Sequence, residues 1–233
     1  MFRNLFLATI CLAFATSAAD VPRAPVLVEL FTSEGCSSCP PADRHLQQLD
    51  RYSIVLSEHV DYWNQLGWKD RFSSPEYTQR QETYAKEFGL DSPYTPQMVV
   101  DGAAQFTGGD TRRAAVEIDK AANRPKASIV LERIGKGVRV DVEDVPHDAD
   151  IWLALADETD VSRVAAGENK GRTLAHVAVV RSLRKLGYVK RGGTFSRHID
   201  LPDSAGGQRV VVFLQEAGQA RVWGAAMLSA PEI

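Results

Sequence analysis

Apolar positions in the first half of the chain follow two different periods. Short apolar runs predict four strands, at residues 26–31, 54–60, 97–100 and 104–107. Amphipathic stretches between them predict three helices, at residues 41–49, 75–88 and 110–122. Asp101-Gly102 is a strong hairpin signal, Pro75 suits a first helical turn, and Asp110 is the expected N-cap of the last helix. This alternation predicts an α/β unit over residues 25–123.

Beyond Pro125 the pattern changes to period two. Six further strands are predicted, at residues 129–132, 138–142, 151–156, 195–199, 210–214 and 220–227. Gly and Asp residues separate them, whereas residues 174–186 fit either a strand or a short helix. We therefore expect an antiparallel, sandwich-like all-β domain over residues 125–233, with the boundary at 123–125.

The first 19 residues have the pattern of a secretory signal. Arg3 supplies a positive start, residues 5–15 an apolar stretch, and Ser17-Ala18-Ala19 a small-residue cleavage site. The expected mature protein is exported, to a bacterial periplasm or outside the cell, and Cys11 is discarded with the signal. Because the apolar stretch is short for a membrane span, we expect no stable anchor, and an uncleaved anchor is the alternative.

Composition narrows the classes of function. The chain has 27 Lys and Arg against 30 Asp and Glu among 233 residues, a formal net charge of -3. No strongly basic face is implied, so nucleic-acid binding is not expected. A core of this size needs no disulfide staples, so the two cysteines left in the mature chain, Cys36 and Cys39, are interpreted as chemistry.

The pair Cys36-Ser37-Ser38-Cys39 lies between a predicted strand and a predicted helix, the context in which C-x-x-C performs redox work. A helix N-terminus lowers the pKa of the first cysteine from about 8.5 toward about 3.5–7.5. Cys36 is thus the expected nucleophile, and Cys39, one turn along and more buried, is expected to resolve the mixed disulfide. This hypothesis requires a sulfur that substrates can reach.

Other readings of the pair stay open. In an oxidising compartment the cysteines could form a static disulfide, although a four-residue loop gains little from closure. They could also bind copper, together with His45 or His59, although no second motif completes a zinc site. A third hypothesis is a non-catalytic binding protein whose β domain carries the function.

Two motifs in order resemble the thioredoxin/glutaredoxin superfamily over residues 25–123. They are the strand with Glu29 before the cysteine pair, and Thr95-Pro96 followed by a hairpin and Gly108-Gly109-Asp110. The resemblance implies a thioredoxin-like fold in which Pro96 is cis and presents the backbone of Thr95 to an extended substrate. It also implies that Glu29 is a buried proton acceptor for Cys39.

Three longer motifs, at residues 31–43, 59–68 and 167–172, more specifically resemble a bacterial exported family called domain of unknown function 1223. That resemblance implies a thioredoxin-like domain with an appended β domain and supplies no substrate. Trp63 in the second motif is expected either to bind an extended peptide or to pack in a loop. The charged residues of the third motif are expected to form a solvated loop unless they dock the β domain or bind a partner.

The leading hypothesis is an exported thiol–disulfide oxidoreductase whose only redox group is the Cys36–Cys39 disulfide, with no metal or other cofactor. Its expected partners are a disulfide or dithiol substrate and an electron donor or acceptor. Ser37 and Ser38 are expected to contact substrate beside Thr95 and Trp63. The direction of electron flow depends on how well the reduced thiolate is stabilised, which Ser37-Ser38 does not fix.

Overall fold

Two β-sheets and three α-helices organise residues 24–230, the part of the chain that the computed structural model describes. The strands are β1 (Leu27–Thr32), β2 (Ile54–His59), β3 (Gln97–Val100), β4 (Ala104–Thr107), β5 (Ser128–Ile134), β6 (Gly137–Glu143), β7 (Ala149–Arg163), β8 (Thr173–Val189), β9 (Phe195–Asp200), β10 (Gln208–Gln215) and β11 (Val222–Leu228). The helices are α1 (Pro40–Leu49), α2 (Pro75–Glu87) and α3 (Thr111–Ala122), with short 3-10 helices at Tyr62–Leu66, Asp203–Gly207 and Ala217–Gln219. The predicted elements of the first half are confirmed to within two residues.

The helices begin where their sequences favour a start. The Ser74 hydroxyl accepts a hydrogen bond from the Glu76 N–H, 3.2 Å away, in front of Pro75. The Asp110 carboxylate accepts one from the Arg113 N–H at 2.9 Å, as an N-cap does. The predicted N-terminal signals of α2 and α3 are thus confirmed.

The large sheet has eight strands in the order β11-β10-β7-β8-β2-β1-β3-β4. β2 is parallel to β1 on one side and to β8 on the other, where Ser57 is opposite Val179. Strands from both halves of the sequence therefore belong to one sheet, which differs from the expected separate all-β domain. The ambiguous segment at 174–186 is the strand β8, and it forms this junction.

A small sheet, β5-β6-β9, packs over one face of the second half of the large sheet. The core between the two layers includes Val138 and Val140 of β6, Leu153 of β7 and Val212 of β10. The period-two pattern predicts this packing of two β layers. It does not reveal that one layer continues the sheet of β1 to β4.

Strand β1 is buried along its whole length and presents different residues to its two faces. Thr32 donates a hydrogen bond to Asp43 of α1 at 2.8 Å, so Thr32 and its alternate neighbour Leu30 face α1. Phe31 packs edge-on against Tyr84 of α2, so Phe31 and Glu29 face the other side. The loop after β1 leads directly into the cysteine pair.

The predicted signal segment, residues 1–19 with Cys11, lies outside the described residues. Among the helices of residues 24–230, none is long and apolar enough to cross a membrane.

Candidate functional site around the Cys36–Cys39 disulfide

Cys36 and Cys39 are joined by a disulfide whose Cα atoms lie 5.4 Å apart. Cys39 is the N-cap of α1, and its N–H donates to the carbonyl of Cys36 at 3.2 Å. The Ser38 hydroxyl lies 3.3 Å from Sγ of Cys36 and is the donor, because a disulfide sulfur carries no hydrogen. After reduction the same hydroxyl would stabilise a thiolate at Cys36.

Both cysteines are completely buried, with 0% of each residue exposed. The expectation that Cys36 is the more accessible of the two is therefore wrong for this conformation. The start of α1 also offers few backbone donors, because Pro40 and Pro41 occupy its first positions and carry no N–H. The helix dipole and Ser38 remain as local stabilisers of a thiolate.

The Thr95–Pro96 peptide bond is cis, as the resemblance implies. Gly108 links it to α1: its N–H donates to the Pro96 carbonyl at 2.9 Å. A Cβ atom on Gly108 would lie 2.8 Å from Cδ1 of Leu30, 2.9 Å from Cβ of Ala42 and 3.3 Å from Cβ of Pro96. Only glycine fits this position, which brings the cis-proline against β1 and the first turn of α1.

The second motif supplies two tryptophans to the site. Trp63 donates from Nε1 to Oγ1 of Thr95 at 2.8 Å and packs over Gly35, where an added Cβ would lie 3.0 Å from Cβ of Trp63. Trp68 donates from Nε1 to Oε2 of Glu34 at 2.7 Å. Trp63 is therefore a half-buried wall that fixes Thr95 next to the cysteine loop.

The third motif lies in the connection between β7 and β8, residues 164–172, which we call the clamp loop. Asn169, 1% exposed, donates from Nδ2 to the carbonyls of Glu34 and Cys36, each at 2.9 Å. Glu168 accepts a hydrogen bond from the N–H of Ser37 at 3.1 Å. The sequence-based default of a solvated loop is wrong for Asn169, and the signal that could have identified it is its place in a motif that accompanies the cysteine motif.

Five buried titratable side chains cluster between the loop after β1, α1, β2 and β8. His59 pairs with Asp70 at 2.7 Å (Nδ1 to Oδ2), and its ring lies 4.8 Å from the ring of His176. The two nitrogens of His176 face carboxylates, with Nε2 3.6 Å from Glu34 and Nδ1 4.0 Å from Asp43. The sequence gives no indication that these five groups meet.

Burial and pairing compete in setting the pKa values of this cluster. Burial raises the pKa of Asp43 above its ordinary value. Burial acts in the same direction on Asp70, but His59 outweighs it and lowers the Asp70 pKa. Burial opposes charge on His59, yet Asp70 raises the His59 pKa. The cluster thus contains an ion pair, His59–Asp70, beside a carboxyl group that ionises reluctantly.

Glu29 is fully buried, but the structure corrects its predicted role. Its carboxylate accepts hydrogen bonds from Nε of Arg80 at 2.9 Å and from the Tyr84 hydroxyl at 2.6 Å, both on α2. Because side chains alternate along β1, Glu29 lies on the face opposite α1 and Cys39. Its contacts are therefore with Arg80 and Tyr84, on the side of the sheet away from Cys39, and they do not support the predicted role as proton acceptor for Cys39.

Within residues 24–230, no group of three or more His, Cys, Asp or Glu side chains is arranged to hold a metal ion. His45, considered as a copper ligand beside the cysteines, lies 3.1 Å from the carbonyl of Gly108 through Nδ1. His59 is engaged by Asp70. These contacts give the copper hypothesis no support.

Comparisons place the chain among proteins of similar architecture. An X-ray crystal structure of a protein from Agrobacterium tumefaciens is 29% identical, with a TM-score of 0.78 over 91% of this chain and 96% of that one. HBP35 of Porphyromonas gingivalis is 13% identical, with a TM-score of 0.59 over 89% of this chain and 75% of that one, which is a likeness of fold alone. No curated protein matches the chain. A family model matches residues 27–215, and the chain therefore belongs to the family described as Protein of unknown function (DUF1223).

Proposed function

We propose that this chain is an exported thiol–disulfide oxidoreductase that acts through Cys36 and Cys39. The observation that carries the proposal is the disulfide at the start of α1, with a cis-proline held against the same helical turn through Gly108. Pro96 has no backbone N–H, so this edge stays free to pair with an extended substrate.

The arrangement of the first half supports this proposal. Strand order β2-β1-β3-β4, with β1 parallel to β2 and antiparallel to β3, resembles the thioredoxin/glutaredoxin core. The cysteine pair follows β1 and the cis-proline precedes β3, as in that superfamily. We extend the proposal to an exported location and to two partners, a disulfide or dithiol substrate and a thiol-based electron donor or acceptor.

The proposed exchange has two steps. The Cys36 thiolate attacks a substrate disulfide, so that a Cys36–substrate bond forms and the other substrate sulfur leaves as a thiolate. The thiol of Cys39 then loses its proton and attacks Cys36, which restores the Cys36–Cys39 bond and releases the second substrate thiolate. Two electrons pass from the cysteine pair to the substrate, and the reverse sequence oxidises a dithiol.

Asp43 is the carboxyl group that the geometry supports as proton acceptor in the second step. It is one helical turn after Cys39 on the same face of α1. It also lines a cavity of about 200 Å³ between α1 and the start of β8, through which a proton can reach solvent. The Thr32 hydroxyl of β1 donates to Oδ1 of Asp43, which holds the carboxyl group between α1 and the sheet.

Replacing Asp43 with asparagine is expected to slow the resolving step about 100-fold. Burial raises the Asp43 pKa above 3.8, so the carboxylate becomes available only as the pH rises through that higher value. The wild-type resolving rate should therefore rise with pH through the Asp43 pKa, and the rise should vanish in the variant. Stopped-flow release of thiol from a Cys36 mixed disulfide measures this. Asp110→Asn is the control, because asparagine caps α3 equally well; matching profiles in all three proteins would exclude the role.

The test of the function itself is a redox-buffer titration combined with trapping. We expect a reduction potential above about −300 mV, in the range of exchange-active pairs. Cys39→Ser should accumulate a mixed disulfide at Cys36 with a disulfide in an unfolded protein, and Cys36→Ser should not. A potential below about −300 mV, with no adduct in Cys39→Ser, would contradict the proposal.

One observation favours a second function, a binding protein on a thioredoxin-like scaffold with a static disulfide. Both cysteines are 0% exposed, as inert structural bridges usually are. The same titration distinguishes the two, because a structural disulfide resists reduction by the glutathione pool.

A further inference from the structure

We propose that the clamp loop determines which disulfides can react at Cys36, by closing the sulfur from solvent until an extended peptide segment replaces it. This inference rests on the proposed oxidoreductase function and adds the class of substrate. Small disulfides lack such a segment and are excluded.

Cys36 is bound through its carbonyl by a distant part of the chain. Its neighbours Ser37 and Ser38 are exposed, so the cysteine loop itself lies at the surface while its first sulfur does not. The clamp loop contacts the cysteine loop through Asn169, 133 residues after Cys36, whose amide donates to the carbonyls of Glu34 and Cys36. Removing this amide would take one hydrogen-bond donor from each of the two carbonyls, and we expect it to loosen the contact between the clamp loop and the cysteine loop.

Hydrogen bonds within the clamp loop hold it together as one unit. Its neck is closed by two backbone hydrogen bonds, from Gly171 N–H to Val164 at 2.8 Å and from Val164 N–H to Arg172 at 3.0 Å. Inside it, Arg172 donates from Nη1 to Oδ1 of Asn169 at 2.8 Å, which aims the amide group at the cysteine loop. Gly167, at φ +73°, packs against Trp68, and a Cβ added to the glycine would lie 3.1 Å from Cβ of the tryptophan.

Glu168 occupies the place that a substrate backbone would take. Its carboxylate accepts the hydrogen bond of the Ser37 N–H, an exposed donor next to the reactive sulfur. A carbonyl oxygen of an extended peptide can accept this hydrogen bond in place of Glu168. A protein substrate can therefore exchange its backbone contacts for those of Glu168 and Asn169, whereas a small disulfide offers none in return.

The experiment measures access to the disulfide directly. Reduction of the Cys36–Cys39 bond by tris(2-carboxyethyl)phosphine is followed by mass spectrometry after alkylation. We expect Asn169→Ala to accelerate reduction at least about tenfold, the effect of losing roughly 1.4 kcal/mol of hydrogen bonding. Lys170→Ala, an exposed change in the same loop, should react like the wild type. Glu168→Ala, also exposed, serves as the second variant if Asn169→Ala fails to fold, and it should react faster too.

A second readout separates selectivity from simple loosening. Exchange rates are compared for hydroxyethyl disulfide and for a disulfide in an unfolded protein. The clamp proposal predicts that Asn169→Ala increases the first rate much more than the second. The clamp proposal would be overturned if Asn169→Ala and Glu168→Ala were reduced by the phosphine at rates within twofold of the rate for Lys170→Ala. Faster phosphine reduction without exchange on either disulfide would support the clamp and overturn the proposed function instead.

Discussion

Replacing Arg80 with methionine is expected to destabilise the folded protein by about 3–5 kcal/mol, because it leaves buried acidic groups without their cation. Arg80 is 2% exposed, and its Nε and Nη2 atoms both bind Glu29. Nε also lies 3.4 Å from Glu58, a fully buried carboxyl whose pKa burial raises well above its ordinary value. Burial thus disfavours the charged form of Glu58, and Glu29 is the acidic side chain that Arg80 binds most closely. Urea unfolding of the two proteins measures the difference.

A surface pair provides the control. Arg113 is bound to Glu117 at 3.0 Å but its side chain is 54% exposed, so Arg113→Met should change the free energy of unfolding by less than about 1 kcal/mol. Arg80→Met combined with Glu29→Gln should recover part of the loss, because no unpaired anion remains. Equal effects of Arg80→Met and Arg113→Met would contradict a buried ion pair that stabilises the fold.

The Arg80 pair also illustrates what the sequence can and cannot predict. Apolar periodicity places β1 and α2 correctly, whereas the burial of Glu29 is implied only by the resemblance. The ion-pair partner of Glu29 cannot be predicted from the sequence, because Arg80 is 51 residues away in a helix whose pattern is mainly polar. A shift of one residue along a strand changes the face, so the resemblance alone assigned Glu29 to the wrong side of the sheet.

The candidate site divides in the same way. The cysteine pair, the cis peptide at Pro96 and the N-cap Asp110 come from local motifs, and the structure contains each of them. The clamp loop contact and the cluster around His176 join segments more than 100 residues apart, which periodicity cannot pair. The parallel pairing of β2 with β8 could not be predicted for the same reason, because it joins two strands that lie far apart in the sequence.

Gly102→Ala tests the most consequential of these long-range contacts, the union of both halves in one structure. Gly102, in the β3–β4 turn, has φ +58°, and an added Cβ would lie 2.2 Å from the carbonyl oxygen of Ala220, before β11. Next to it, the Val222 N–H donates to the Asp101 carbonyl at 2.8 Å. We expect a loss of at least about 3 kcal/mol, because the left-handed backbone alone costs about 1–2 kcal/mol and the two segments must also move apart.

Gly135 is the matched control for this change. It has the same φ, +58°, in the turn between β5 and β6, but nothing lies within 4 Å of an added Cβ. Gly135→Ala should therefore cost only the backbone term, about 1–2 kcal/mol in chemical unfolding. If the halves were independent domains, the turn at Gly102 would be as free as the one at Gly135, and the two alanine variants would unfold at the same denaturant concentration. A larger loss at Gly102, in a single unfolding transition, is the result expected when both halves unfold together.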